Sequence, residues 1–203
     1  MDQSENVERR PVVSRTRRLT GIALFTAVAV ILNLTPLKFP APYAPFLFYE
    51  LWEIPIVAVL LIYGVYSAFT VSLVNTIILL LVFPGALPTG PLYNFIAIIV
   101  TLAAVSAGHR LARAGGFRLG RLVSVATGLA MLVRASVMVA VNFILLPMPA
   151  PLGYQIPQLA TLPLLPLIAF FNATVVLYSV PAGYAVIKAV STRFQTKMEY
   201  QIS

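Results

Sequence analysis

The stretch WEIPIVAVLLIYGVYSAFTVSLVNTIILLLVFP, residues 52–84, determines how many helices this chain contains. It is much longer than the roughly 20 apolar residues that one membrane crossing needs. Gly64 lies inside it, in the short sequence YGVYSA, and glycine readily permits a turn. The stretch therefore predicts two short helices, at about 52–65 and 67–84, rather than one long helix.

Composition places the rest of the chain in a membrane as well. Hydrophobic residues make up 60% of the 203 residues and charged residues only 10%, with a mean hydropathy of +0.92. In a typical soluble domain about a quarter of the residues are charged. Four further apolar segments reach or approach spanning length, at about 19–36, 91–112, 122–147 and 161–188. We therefore predict an all-α integral membrane protein with six transmembrane helices.

The basic residues predict the orientation of these six helices. Most of them lie before the first helix, between the fourth and fifth, or after the sixth: Arg9, Arg10, Arg15, Arg17, Arg18, Arg110, Arg113, Arg118, Arg121, Lys188, Arg193 and Lys197. These places share one side of a six-helix protein, and the side rich in Lys and Arg is cytoplasmic. Both termini are therefore predicted to be cytoplasmic, in a multi-pass protein of the cell membrane that contacts lipid. The net charge of +8 then requires no nucleic-acid partner.

The expected organisation has three parts. Residues 1–18 form a basic cytoplasmic segment, residues 19–190 the six-helix membrane domain, and residues 191–203 a cytoplasmic tail. The chain has no Cys and one His, His109, which leaves no thiolate site, no histidine-based metal site and no conventional catalytic triad. It also lacks a Walker motif, so any ATP hydrolysis belongs to other subunits. We expect no cofactor, no bound metal and no enzyme activity in this chain.

The predicted outer loops are rich in Pro and aromatic residues. Such residues could form the aromatic belt that lines membrane interfaces or the stiff, apolar mouth of a binding site. Belts occur at both interfaces, so the one-sided distribution favours a binding mouth. The residues of these loops and their borders that we expect at the site are Phe46, Leu47, Tyr49, Glu50, Trp52, Tyr93 and Tyr154.

Five of the predicted helices each carry one Asn: Asn33, Asn75, Asn94, Asn142 and Asn172. A buried amide either joins two helices through hydrogen bonds or contacts a ligand. For Asn75 we expect a bond between helices. Asn94 and Asn142 fall in the outer halves of their helices, so there we expect ligand contact. An amide both donates and accepts, which suits a heterocycle with alternating C=O and N–H groups.

Arg134 falls near the middle of the fifth helix, where an unpaired cation costs at least about 2.5–3.5 kcal/mol. Its candidate partners are polar groups of neighbouring helices, the cytoplasmic interface reached by snorkelling, and Glu53. A pair with Glu53 requires a deeply inserted second helix. Glu53 itself is expected to start that helix, because a carboxylate is favoured near a helix N-terminus. Glu50 lies in the loop and is the better candidate to contact a ligand hydroxyl.

A series of short motifs in residues 18–190 resembles the substrate-binding S components of energy-coupling factor (ECF) vitamin transporters, most closely the riboflavin branch. The motifs are Ala23-x-x-x-Ala27, Glu53-Ile54-Pro55, Tyr93-Asn94-Phe95-Ile96-Ala97, Val141-Asn142-Phe143-Ile144-Leu145-Leu146-Pro147 and Phe171-Asn172. Their order, together with the chain length and the six predicted helices, carries the resemblance.

The resemblance implies a vitamin bound in the outer half of the bundle, under the first loop, and contacted by Asn142 and Asn172. It also implies that Ala23 and Ala27 dock a transmembrane coupling subunit, which works with two ATPase subunits. Riboflavin binders of this family often carry Asn-x-x-Lys in the sixth helix, but Val175 stands at that Lys position here. The expected substrate is therefore riboflavin or a related heterocyclic vitamin.

Two other functions remain open from the sequence. A standalone secondary transporter or channel usually couples through acidic residues or broken helices inside the membrane, and none is evident. A membrane enzyme acting on lipid needs clustered carboxylates, histidines or a metal. Only Glu50, Glu53 and His109 are candidates, and His109 is predicted on the opposite side of the membrane from the two carboxylates.

Overall fold

The computed structural model describes residues 15–82 and 87–194. In chain order its elements are α1 (Arg15–Leu34), β1 (Phe39–Ala41), β2 (Ala44–Tyr49), α2 (Glu53–Tyr63), α3 (Val65–Val82), α4 (Gly90–Ala114), α5 (Leu119–Leu145), α6 (Gln158–Thr161), a 3-10 turn (Leu162–Leu164) and α7 (Leu165–Phe194). Each of the six apolar segments predicted from the sequence therefore contains a helix. Residues 1–14, 83–86 and 195–203, which include much of the two predicted terminal segments, lie outside the described residues.

The protein is a mostly helical membrane protein. By length and composition, four of the described helices can cross a membrane: α3, α4, α5 and α7, the last together with the turns before it. The apolar part of α1 (Arg18–Leu34) and the whole of α2 are shorter. The predicted six crossings, and the predicted cytoplasmic position of both termini, stay predictions.

The turn predicted at Gly64 is confirmed. Gly64 separates α2 from α3 with a φ of 86°, a conformation that strains residues with a Cβ. Its N–H donates to the carbonyl oxygen of Leu60 over 3.0 Å. The Arg18 guanidinium donates to the carbonyl oxygen of Tyr63 and to the Ser67 hydroxyl, each over 3.1 Å. The start of α1 is thereby joined to the turn between α2 and α3.

Helix α2 occupies the centre of the bundle. Residues 55–61 are all buried, and the helix packs against α1, α3, α4 and α7. Pro55 lies in its first turn, where a proline removes no intrahelical hydrogen bond. Because every side of α2 is covered by other helices, its sequence is apolar on all faces. A helix of this length can lie wholly within the bundle, which brings its first residue, Glu53, deep among the other helices.

The first outer segment is a β-hairpin, which corrects the all-α prediction. Strands β1 and β2 are antiparallel, with Phe39 opposite Tyr49 and Pro40 opposite Phe48. The sequence predicted a loop here, stiffened by Pro40, Pro42 and Pro45. A proline is compatible with a short edge strand, because there its missing N–H need not serve a second neighbour. The hairpin forms one side of the cavity described next.

Helices α4 and α5 approach each other closely. A Cβ added to Gly108 of α4 would lie 2.7 Å from the Cα of Ala126 in α5, which is too close for any side chain. Small residues permit such crossings in membranes. Helix α5 also packs along α7, so it lies between α4 and α7 and presents one face to the interior of the bundle.

Candidate functional site

A cavity of about 600 Å³ lies among the hairpin, α2, α4, α5 and α7. Its wall combines aromatic rings, amides and two ion pairs. The wall residues used below are Asn33, Lys38, Phe46, Leu47, Glu50, Trp52, Glu53, Tyr93, Asn94, Arg134, Asn142, Tyr154, Phe171, Asn172, Val175 and Tyr178. A volume of this size is typical of pockets that enclose a small organic ligand.

Nine of the ten residues that we expected at a binding site lie on this wall: Phe46, Leu47, Glu50, Trp52, Tyr93, Asn94, Asn142, Tyr154 and Asn172. They come from β2, the connection to α2, α4, α5, the segment before α6, and α7. The fold thus gathers residues that are up to about 120 positions apart in the chain. Whether each of them contacts a ligand stays a prediction.

Tyr49 is the expected residue that does not lie on the wall. Its hydroxyl is 2.6 Å from the Tyr43 hydroxyl and 2.7 Å from the Thr174 hydroxyl. Its ring packs on Phe171, with the ring centroids 5.0 Å apart. Burial, followed by the hydrogen bond to Tyr49, raises the pKa of Tyr43. Tyr49 therefore fastens the hairpin to α7 behind the cavity.

Arg134 is held on the cavity wall by three side chains from three other helices. Its two terminal nitrogens donate to the two carboxylate oxygens of Glu53, over 2.6 and 2.8 Å. The same guanidinium donates to Asn172 Oδ1 over 2.9 Å and to the Thr101 hydroxyl over 3.2 Å. Arg134 and Glu53 are both almost fully buried, at 4% and 3% exposure. This bidentate pair answers the partner question that the sequence left open, and it excludes snorkelling.

Glu50 is engaged by neighbouring side chains at the hairpin. Its carboxylate accepts from Lys38 over 2.6 Å and from the Trp52 indole N–H over 2.9 Å. The Tyr178 hydroxyl donates to the Glu50 carbonyl oxygen over 2.6 Å. These contacts join the hairpin and the start of α2 to α7. They also occupy the carboxylate that we expected to be available for a ligand hydroxyl.

The amides on the wall differ in how much of their hydrogen-bonding capacity remains. Asn172 accepts from Arg134 and donates to the Ile168 carbonyl oxygen over 2.9 Å. Asn142 donates to the Met138 carbonyl oxygen over 2.7 Å. No hydrogen bond joins the amide oxygen of Asn142 to a described residue, and the same holds for the whole side chain of Asn94. These two amides have the most capacity for a ligand.

The aromatic residues enclose the cavity to different degrees. Trp52 is 3% exposed and is fixed through its indole N–H, whereas Phe46 and Tyr154 are more than half exposed at the rim. The Tyr93 hydroxyl donates to the Leu152 carbonyl oxygen over 2.6 Å, which ties α4 to the loop after α5. Rings of this kind provide flat apolar surfaces against which a conjugated ligand can stack.

The likeness to known proteins lies in the three-dimensional fold. The structure matches a solved S component of a bacterial ECF transporter with a TM-score of 0.70. The match covers 89% of this chain and 99% of that one, at 22% sequence identity. The chain has the fold of an ECF S component. No protein-family model and no curated protein matches this sequence.

The ECF S-component fold leaves one face of α1 uncovered. Ala23 and Ala27, the pair predicted to dock a coupling subunit, are both exposed. The same side of the helix carries the exposed residues Leu24, Val28, Ile31 and Leu34. Ala29, on the other side, is fully buried. An apolar, small-residue stripe is thus available to lipid or to another helix.

Several wall residues were missed from the sequence. The sequence assigned Glu53 to the start of the second helix and left the role of Arg134 undecided. Whether these two residues form an ion pair depends on how deeply α2 is inserted in the bundle. Phe171 and Tyr178 belong to an apolar helix in which nothing distinguishes a wall residue from a lipid-facing one. Phe171 and Tyr178 lie one and six positions from Asn172, not the three or four positions that place two residues on one helix face, so spacing from Asn172 does not identify them. Among residues 15–82 and 87–194, no cluster of three or more His, Asp or Glu side chains could hold a metal ion.

Proposed function

We propose that this chain is the substrate-binding subunit of an ECF-type, ATP-driven vitamin importer, with riboflavin as the first candidate substrate. The observation that carries the proposal is the cavity, lined by aromatic rings and amides, within the fold of an S component. The cavity has the size, the stacking surfaces and the mixed donors and acceptors that a heterocyclic vitamin needs.

The charges on the wall support a substrate without net charge. The charged wall residues are Lys38 and Arg134, together with Glu50 and Glu53. Each cation is paired with one carboxylate at about 2.6 Å, so the wall is neutral overall. A charged substrate would leave water without an opposite charge to receive it, which is strongly unfavourable in an enclosed site. Riboflavin is neutral, whereas thiamine is a cation and biotin, pantothenate and folate are anions.

Arg134 provides a cation near the position of the helix-six Lys that riboflavin binders of the ECF family often carry and that this chain lacks. Val175 occupies that position and is buried on the wall. The Arg134 guanidinium, projecting from α5, donates to Asn172, three positions before Val175. A cationic donor is therefore present beside Asn172 although the Lys is missing. We propose that Arg134 takes the place of that Lys in the site.

The proposal extends to partners and location. The exposed stripe of α1 around Ala23 and Ala27 docks a transmembrane coupling subunit, because small residues let two helix backbones approach closely. Two ATPase subunits supply the energy. The protein lies in the cell membrane with both termini in the cytoplasm and the cavity toward the outside.

The test is to identify what the protein carries when it is purified. The chain is extracted in mild detergent, freed of unbound small molecules and denatured, and the released compounds are identified by absorbance and mass spectrometry. We expect riboflavin in near-stoichiometric amount after growth in medium that contains it. Release of a charged vitamin instead, or of lipid alone, would contradict the assignment of riboflavin.

A further inference from the structure

Asn33 lies on the cavity wall although it belongs to α1, the helix that carries the exposed alanine stripe. It is 3% exposed and stands one residue before the end of the helix. Ala29, one turn earlier, is fully buried on the same side of α1. The inner face of α1 thus reaches the cavity at its outer end, while Ala23 and Ala27 face outward nearer its start.

The Asn33 amide is buried without a protein partner. Its Nδ2 is enclosed, and no acceptor for it lies among residues 15–82 and 87–194. A bond between helices, the ordinary role of an Asn in a membrane protein, is therefore not what this side chain provides within the described structure. Buried polar groups nearly always have a partner, and one without a partner destabilises the protein that contains it.

We infer that Asn33 is a substrate contact, whose hydrogen bond is completed only when the cavity is occupied. The inference rests on the proposed function, because it takes the cavity to be a substrate site. As placed, the amide nitrogen is enclosed and is not open to the cavity. A half-turn about the last side-chain torsion exchanges the amide nitrogen and oxygen and turns the nitrogen toward a substrate. The substrate then presents a polar group, such as a hydroxyl or a ring carbonyl, to the end of α1. Substrate is thereby held from α1 as well as from α5 and α7.

The experiment compares Asn33→Leu with Asn75→Leu. Leu has nearly the shape of Asn and no polar atom. Asn75 is an apt control because it is also buried, its Oδ1 also lacks a partner among the described residues, and it does not line the cavity. Each purified variant is stripped of bound small molecules, its melting temperature is measured, and riboflavin is titrated by calorimetry.

We expect Asn33→Leu to weaken riboflavin binding by at least about fivefold, the usual effect of losing one ligand hydrogen bond. The melting temperature of the stripped protein should stay unchanged or rise, because an unsatisfied amide has been removed. Asn75→Leu should leave riboflavin affinity unchanged. A residue that merely supports the fold would show the opposite pattern, with lowered stability and unchanged affinity.

Two results overturn the inference: riboflavin affinity equal to wild type in Asn33→Leu, or a melting temperature of stripped Asn33→Leu clearly below that of wild type. A wild-type protein that does not bind riboflavin contradicts riboflavin as the substrate, which is a separate failure. The melting temperatures then still decide on Asn33. A melting temperature at or above that of wild type supports Asn33 as a contact for a different substrate. A lower melting temperature shows that the Asn33 amide has a hydrogen-bond partner within the protein.

Discussion

Arg134 shows that a single buried cation requires acceptors from several helices of a membrane protein. A guanidinium inside an apolar bundle needs several acceptors, and here Glu53, Asn172 and Thr101 supply them from α2, α7 and α4. The sequence predicted that a partner must exist, because an unpaired cation is costly in the membrane. It could not identify the partner, since the meeting with Glu53 depends on the three-dimensional position of α2.

The ion pair gives the first prediction. Arg134→Met leaves the buried Glu53 carboxylate without its counter-charge, so we expect the free energy of unfolding to fall by about 3–5 kcal/mol. The double variant Arg134→Met with Glu53→Met removes both charges and should recover a substantial part of that loss. Thermal unfolding of the purified variants in one detergent measures both effects. A double variant no more stable than the single one would show that the pair is not what Arg134 contributes.

The two amides on α5 and α7 give the second prediction. Asn142→Ala should weaken riboflavin binding by about tenfold or more, with little loss of stability, because its amide oxygen has no described protein partner. Asn172→Ala should weaken binding and also lower the melting temperature, because it removes an acceptor from Arg134. Calorimetry and thermal unfolding separate the two effects. Unchanged affinity in both variants would mean that these amides serve the fold and not the site.

The hairpin is the element that the sequence did not predict. Its prolines predicted a stiff loop, and its aromatic residues fitted either a membrane belt or the mouth of a binding site. The structure shows two short strands held from three places: Lys38 bonds Glu50, Tyr178 bonds the Glu50 backbone, and Tyr49 bonds Thr174. The two contacts to α7 join residues that are 125 and 128 positions apart in the chain, and no local pattern records them. The hairpin forms one side of the cavity, and we predict that it acts as a lid.

The third prediction tests the lid without altering the cavity wall. Tyr49→Phe removes the hydroxyl that joins the hairpin to Thr174 of α7 and that bonds Tyr43 within the hairpin, and Tyr49 does not line the cavity. We expect riboflavin to dissociate several times faster, with a smaller change in the association rate, because a lid mainly controls escape. Stopped-flow fluorescence measures both rates. Thr174→Val, which removes the acceptor on α7, should have the same effect.

A matched control completes this test. Tyr66→Phe removes a phenol hydroxyl from the start of α3, where the side chain is 88% exposed and does not line the cavity. It should leave both rates unchanged. Release of riboflavin from Tyr49→Phe and Thr174→Val at the wild-type rate would contradict a lid function for the hairpin.

Helix α1 gives the fourth prediction. Ala23→Trp combined with Ala27→Trp places two large side chains on the exposed stripe, which prevents close approach of another helix. We expect riboflavin uptake by cells that carry the complete transporter to be abolished, while the isolated chain binds riboflavin as before. Leu132→Trp, on an exposed position of α5, is the control and should retain uptake. Full uptake by the double variant would exclude this stripe as the docking face.

For the whole molecule, the helices and turns predicted from the sequence agree with the structure where a continuous run of residues indicates them. The predicted fifth helix, 122–147, became Leu119–Leu145, and Gly64 marked the turn between two helices correctly. Composition identified a membrane protein. The one-sided aromatic loops pointed to six residues, and the helix amides to three more, that share a cavity wall. Arg134 and Glu53 joined that wall only in the structure, because the depth of a short helix such as α2 depends on the helices that surround it.

Charge balance is a second property of the whole molecule that the sequence does not display. Four charged residues from different parts of the chain meet on one wall as two ion pairs, Lys38 with Glu50 and Arg134 with Glu53. The net charge of +8 for the chain gives no hint of this local neutrality. The proposal of an uncharged substrate rests on this charge balance of the assembled cavity.

The central claim, that this cavity binds an uncharged heterocyclic vitamin, is tested most directly with Trp52, the single Trp of the chain, which lies on the wall. Stripped protein is titrated with riboflavin, thiamine, folate, pantothenate and biotin while the Trp52 emission is recorded, and free tryptophan corrects for absorption by the flavin. The account predicts saturable quenching by riboflavin and no saturable response to the four charged vitamins. Saturable quenching by a charged vitamin, with none by riboflavin, would contradict it.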